Sequence, residues 1–399
     1  MTDPNVATPP LSFSLYYFAS DEGGPAAASQ RRLLFDSARF ADRHGFEAVW
    51  TPERHFHAFG GLSPNPSVMA AAFAAITERV RIRSGSVVVP LHHPARIVEE
   101  WSLVDVLSAG RVDLGVASGW FPNDFVLAPP GAYDERGELV FSRAAELQRL
   151  WRGETFDAVN PLGDSVSLRT MPRPIQRELP IWITAAGNPL TFERAGAAGY
   201  HVLTHLLGQT LDQLEHKIAA YRRAWRAAGH VGRGQVTLML HTFVGDDEAC
   251  VRRIVKEPML RYLGSSANLV GSYTQSVPFF QQRCPVSTGE LTADDVRDAL
   301  EFSFERYYAT SSLLGTLDKC LETTDRLRAI GVDEVACLID FGVDADTVLA
   351  ALPLLDELRE LANVKDDELA TKLIVRRPRA SARAVVGCSD QRSGASAKG

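Results

Sequence analysis

Two rhythms of apolar residues alternate along this chain. Short continuous runs, rich in β-branched and aromatic residues, read as strands buried on both faces. They are FSLYYF (residues 13–18), EAVWT (47–51), RIRSGSVVVP (81–90), RVDLGVASG (111–119), PIWITAAG (180–187), YHVLTHL (200–206), QVTLMLHTFV (235–244) and DEVACLID (333–340). Between them lie longer stretches with helical spacing. In residues 29–45, Leu33, Leu34, Ser37, Ala38 and Ala41 share one face, and Gly45 closes the helix. An Ala-rich helix follows Pro66, and Pro94 opens the next as a first-turn proline should. Further helices are expected over 141–151, 191–199, 210–228 and 344–361.

Eight strand–helix units predict an α/β fold, a (β/α)8 TIM barrel with insertions after strands 4 and 7. The first insertion, residues 157–174, reads as a hairpin outside the repeat. The second contains residues 264–290, which look non-helical and read as a lid, a dimer contact or disorder. The expected organisation is a flexible N-terminus (1–11), one barrel domain (12–365) and a disordered C-terminal tail (366–399) rich in Ser, Ala, Gly and Arg.

Composition narrows the function classes. The chain has 399 residues, 45% of them hydrophobic, and a formal net charge of −7. That balance argues against a nucleic-acid surface, and no apolar run approaches a membrane span. The start, MTDPNVATPP, lacks the pattern of a signal peptide. Five scattered cysteines without a CxxC fit a reducing, cytoplasmic setting.

A barrel carries its chemistry at the C-terminal ends of its strands. Here those ends offer Ala19–Ser20, Glu53 to His57, Gly85–Ser86, Ala117 to Trp120, Ala186 to Asn188, Thr204–His205, His241 and Asp340. The cluster ERHFH is costly unless water, a metal or a ligand satisfies it. His55-x-His57, with His205, His241 and Asp340, has the outline of a metal-dependent hydrolase. Against that reading, the HxH follows the second strand rather than the first, and no lysine precedes Lys217. No metal site is therefore expected. The small rim residues instead leave a floor for a flat ring, and the turn at Gly187–Asn188 opens a helix that can hold a phosphate. No GxGxxG or Walker motif is present. A flat ring with one phosphate describes FMN.

The ordered segments GFEAVWTPERHF, the long run from NPSVMAAAF to DLGVASGW, PIWITAAGNPLTFERAGAAG and GTLDKCLETTDRLRAIGVDEVACLID resemble the bacterial luciferase-like flavin monooxygenases. HFHAFGGLSPNP and VLTHLLGQT further resemble the branch found in natural-product biosynthesis. The resemblance implies reduced FMN supplied by a partner flavin reductase, O2 as cosubstrate, and a small-molecule or carrier-tethered substrate in a homodimer. It places Gly85–Ser86 at a cis peptide beneath the flavin, Ala117 beside the ring, and Ser118, Gly187, Asn188 and Thr204 among the cofactor contacts. Luciferase has an arginine where this chain has Ser118. Its catalytic Glu-His-His reads Glu53-Arg54-His55 here. Arginine is no base near neutral pH, so the expectation is that Arg54 holds an anion, His55 carries the proton and Glu53 orients it. The bland alternative makes Arg54 a salt-bridge partner of Glu53 or Glu99. Two other readings stay open: an F420-dependent oxidoreductase on the same fold, and a non-catalytic subunit.

Overall fold

The computed structural model describes residues 10–18, 26–271 and 293–364. In chain order its strands are β1 (Ser12–Tyr16), β2 (Ala48–Thr51), β3 (Arg81–Val88), β4 (Val112–Ala117), β5 (Phe156–Val159), β6 (Ser165–Leu168), β7 (Ile181–Thr184), β8 (His201–His205), β9 (Val236–Gly245), β10 (Leu313–Thr316) and β11 (Glu334–Leu338). All but β5, β6 and β10 are staves of a closed parallel barrel. Their order is β9-β11-β1-β2-β3-β4-β7-β8, and β8 pairs back with β9, so the sheet closes on itself. β5 and β6 form the expected antiparallel hairpin.

Ten helices surround the barrel among the described residues: α1 (Ala26–Arg43), α2 (Pro66–Ala74), α3 (Pro94–Leu107), α4 (Ala132–Arg152), α5 (Pro189–Ala197), α6 (Leu211–Ala227), α7 (Glu248–Gly271), α8 (Ala293–Thr310), α9 (Leu317–Ala329) and α10 (Ala345–Leu361). The predicted apolar face of α1 is the buried one. Asn65 caps α2 and Thr210 with Gln213 closes a capping box on α6, which satisfies backbone N–H groups that a helix start leaves unpaired.

Two expectations for the second insertion change. Residues 264–271 are helical, the last turns of α7. Gly264, Ser265 and Asn268 are weak helix formers, but a helix already nucleated by the amphipathic stretch before them propagates through such residues. The remainder, 272–290, lies outside the described residues, as do 1–9, Ala19–Ser20 and 365–399. The unforeseen β10 pairs with the last four residues of β9, which explains why β9 is so long. Leu11, expected in the flexible terminus, is buried and its backbone bonds Asn363.

Toward the N-terminal ends of the strands the barrel holds a charged core. Arg83 Nη1 lies 2.7 Å from Glu334 Oε2 and its Nε 2.7 Å from Asp113 Oδ2. The guanidinium sits over the rings of Trp50 and Trp182, at 5.0 and 4.5 Å. Ser14 and the Trp50 indole also bond Glu334. Burial disfavours the charged Arg83, yet the two carboxylates outweigh it and hold its pKa above the usual value. Above this layer Tyr16, Trp50, Trp182, Leu203 and Leu338 fill the interior. The barrel is a packed plug, and ligands must bind at its mouth.

Candidate active site

The chain leaves β2 at Thr51 and turns across the mouth. Extended backbone sends Glu53 and His55 to one side and Arg54 to the other. Glu53 is enclosed. Its Oε1 lies 2.8 Å from His55 Nε2 and 2.5 Å from His92 Nε2, and its Oε2 accepts the Val88 N–H at 2.7 Å. Burial alone would raise the Glu53 pKa, but the two imidazoles and the N–H hold it below the usual value. Burial likewise works against a charged His92, and Glu53 outweighs it, raising the His92 pKa. The result is a carboxylate with two imidazoles able to share its proton traffic.

His92 does not stand out in the sequence. It is 39 positions from Glu53, and only the fold of β3 brings them together. The pair His92–His93 before Pro94 was the available signal; His93 caps α3 instead. The ligand atoms of Glu53, His55 and His92 lie within 4.8 Å of one another and could hold a metal ion. This is not the HxH set weighed from the sequence. His57 turns its Nδ1 to the Phe59 N–H, while burial pushes His205 down to about 4 and His241 to about 3. Both nitrogens facing Glu53 sit at hydrogen-bond distance, so the same three groups can also pass protons among themselves.

Arg54 does not pair with Glu53 or Glu99. Its Nη1 bonds Asp124 Oδ2 at 2.6 Å, from the short 3-10 turn Pro122–Leu127 after β4. The competing carboxylate of Glu53 is already shared by the imidazoles, which leaves Asp124 as the counter-ion.

The floor of the mouth is built from small groups. Gly85–Ser86 is a cis peptide bond. The Tyr16 hydroxyl donates to the Gly85 carbonyl, and a Cβ on Gly85 would lie 2.6 Å from the Tyr16 ring. Ser86 and Thr184 share a hydroxyl hydrogen bond across β3 and β7. Ala117 stands beside Val88 in the β3–β4 register. Ser118 and Gly119 follow, and a Cβ on Gly119 would strike Val88 and Phe125 at 2.8 and 2.9 Å. Phe18, Phe59, Phe121 and Tyr262 pack together as an aromatic cluster contributed by separate loops and α7.

Gly187 and Asn188 are exposed at the start of α5, where the Asn188 side chain accepts the Leu190 N–H. Thr204 is buried, and its hydroxyl accepts from Gln209 at 3.1 Å. Gln209 in turn accepts from Lys217 Nζ at 2.7 Å, and the same ammonium donates to the Ala186 carbonyl at 3.1 Å. Lys217, missed from the sequence, thus brings a positive charge to the turn that carries Gly187 and Asn188. The predicted residues therefore fall into a carboxylate–imidazole group (Glu53, His55), Arg54 paired with Asp124, a run of small residues (Gly85, Ser86, Ala117, Ser118) and a helix-start group (Gly187, Asn188, with Thr204 linked through Gln209).

Comparison with known proteins agrees with this architecture. The profile of the luciferase-like monooxygenase family matches residues 13–334. The oxygenase component of a flavin-dependent trigonelline monooxygenase from Acinetobacter baylyi is 25% identical over 80% of this chain and 86% of its own length. A 4-hydroxyprotoasukamycin monooxygenase from Streptomyces nodosus subsp. asukaensis is 25% identical over 71% of this chain and 73% of its own. Among solved structures, the FMN complex of the oxygenating constituent of 3,6-diketocamphane monooxygenase from Pseudomonas putida superposes with a TM-score of 0.67 at 17% identity, covering 89% of this chain and 99% of that one. The F420-dependent tetrahydromethanopterin reductase of Methanopyrus kandleri shares the fold, with a TM-score of 0.63 at 16% identity over 87% of this chain and 98% of that one. With most of its length covered by one family profile, and the barrel that profile implies, this chain belongs to the luciferase-like monooxygenases.

Proposed function

We propose that the protein is the oxygenase component of an FMN-dependent monooxygenase, receiving reduced FMN from a separate reductase and using O2 to oxygenate an organic substrate. The observation that carries the reading is the enclosed Glu53 carboxylate shared by His55 and His92 beside a floor of small residues. Relatives named as flavin-dependent monooxygenases, one of them an oxygenase component, support it. The asukamycin-type relative supports a substrate from natural-product biosynthesis, free or carrier-tethered.

The residues fit a flavin mononucleotide. Gly85, Ser86, Ala117, Ser118 and Gly119 project nothing large where a flat ring would lie, and the hydroxyls of Ser86 and Thr184 offer polar contacts. Asn188, the start of α5 and the Lys217 ammonium supply the positive end for one phosphate. When bound, reduced FMN supplies the electrons that activate O2. The protein's own part is to handle protons and exclude water. Glu53 orients both imidazoles, and His55 Nδ1, the ring nitrogen not turned to Glu53, is left to give or take a proton at the mouth. The aromatic cluster keeps water from the same region.

Anaerobic calorimetry tests the assignment. Reduced FMN should bind saturably and more tightly than reduced riboflavin. Lys217→Gln should shrink that preference by roughly tenfold, the size of one charge-assisted hydrogen bond. Saturable binding of reduced F420 with none of reduced FMN would favour hydride-transfer chemistry instead.

A further inference from the structure

Arg54 and Asp124 are both deep in the protein, 3% and 6% exposed. They meet through a single contact, Nη1 to Oδ2 at 2.6 Å. The remaining groups are idle: Arg54 Nε, Arg54 Nη2 and Asp124 Oδ1 are buried with no hydrogen-bond partner among the described residues. Two buried donors and a buried acceptor left open are costly, because each has given up its bonds to water and gained none in return. A chain that retains them has something to put there.

We propose that Arg54 and Asp124 form a charge-neutral donor–acceptor subsite that binds a carboxamide of the substrate. The proposal deepens the monooxygenase reading, since it takes the substrate to bind at this mouth. A carboxamide carries an acceptor and a donor side by side. Its carbonyl oxygen can take the in-plane N–H groups of Arg54, and its N–H can serve Asp124 Oδ1. Phe121 and Trp120 lie 4.5 and 5.1 Å from Cζ with their ring centroids 5.5 Å apart, so both pack on the same side of the guanidinium. The in-plane edge with Nε and Nη2, which has no partner among the described residues, is the part left for a ligand to use. Trp120 is half-exposed, so the cover over the pair is reached from solvent.

The charge balance selects against an anion. The Arg54 charge is already matched by Asp124. A substrate carboxylate would bring an unmatched negative charge into a dry site and would have no proton for Oδ1. This reverses the role that the sequence alone gave to Arg54. Sites that hydrogen-bond both ends of a polar group reject analogues lacking one of them, because the protein group is then left unpaired.

Benzamide and benzoate, alike in shape and different in charge and donor, are the probes. Their affinities for the full-length protein without flavin would be measured by ligand-detected NMR titration at neutral pH. Benzamide is expected to bind at least about tenfold more tightly than benzoate. Asp124→Asn leaves the Arg54 charge unmatched and should reverse the preference. Equal or tighter binding of benzoate, no saturable binding of benzamide, or an unchanged preference in folded Asp124→Asn would each overturn the proposal. If that variant does not fold, the wild-type comparison decides alone. Because no flavin is present, failure here leaves FMN binding untouched, and failure of FMN binding leaves the benzamide preference standing.

Discussion

Glu53 and His92 form a pair whose strength depends on pH from both sides. The folded state raises the His92 pKa, so its contribution to stability is fully present below the unfolded value of about 6.5 and is lost as pH rises through the raised value. The folded state lowers the Glu53 pKa, so its contribution is present above about 4.5 and is lost as pH falls through the lowered value. The window of greatest benefit lies between the two. His92→Gln should therefore lower Tm most near pH 5–6, with the difference from wild type narrowing in alkaline buffer. A difference that stays constant with pH would mean that the His92–Glu53 contact is not ionic. Residue-scale chemistry was partly legible in the sequence. ERHFH announced itself as polar groups behind a hydrophobic strand, whereas His92 and Asp124 needed the barrel to carry them to their partners, 39 and 70 positions away.

At the scale of elements, the barrel strands and α1 were readable because burial on one or both faces imposes a period. The strand β10 was not, because four residues carry too short a pattern. The helical end of α7 escaped for a different reason, since its composition favours no structure and only continuity with the preceding turns makes it helical. The charged layer inside the barrel was also invisible. Arg83, Asp113 and Glu334 come from three separate strands, and each reads alone as an ordinary polar residue at a strand end. Their arrangement links β3 to β4 and β11 through the interior. Taking one partner from such a group leaves a buried charge unmatched, which typically costs about 3–5 kcal/mol. Glu334→Gln should lower the urea midpoint accordingly while m stays unchanged. A loss within experimental error would mean that Asp113 alone suffices for Arg83.

On the whole molecule, α3 presents Leu103, Val106 and Leu107, exposed at i, i+3 and i+4. Such a stripe favours burial against another surface, and we propose a homodimer formed through it. Sedimentation should show a dimer for the wild type and a monomer for Leu103→Glu/Leu107→Glu, with unchanged circular dichroism. A monomeric wild type would contradict the homodimer. The remaining whole-molecule claim is that the mouth holds reduced FMN and controls its reaction with O2. Free reduced FMN in aerated buffer passes its electrons to O2 and releases hydrogen peroxide, so the rate of peroxide release reports that control without any knowledge of the substrate. The direct measurement is to load the protein anaerobically with reduced FMN, mix it with O2 and follow peroxide by a coupled assay. Release slowed at least about tenfold relative to free reduced FMN is expected, with much of the delay lost in His55→Ala. Release as fast as from free FMN, at protein concentrations that bind all of it, would show that the mouth exerts no such control.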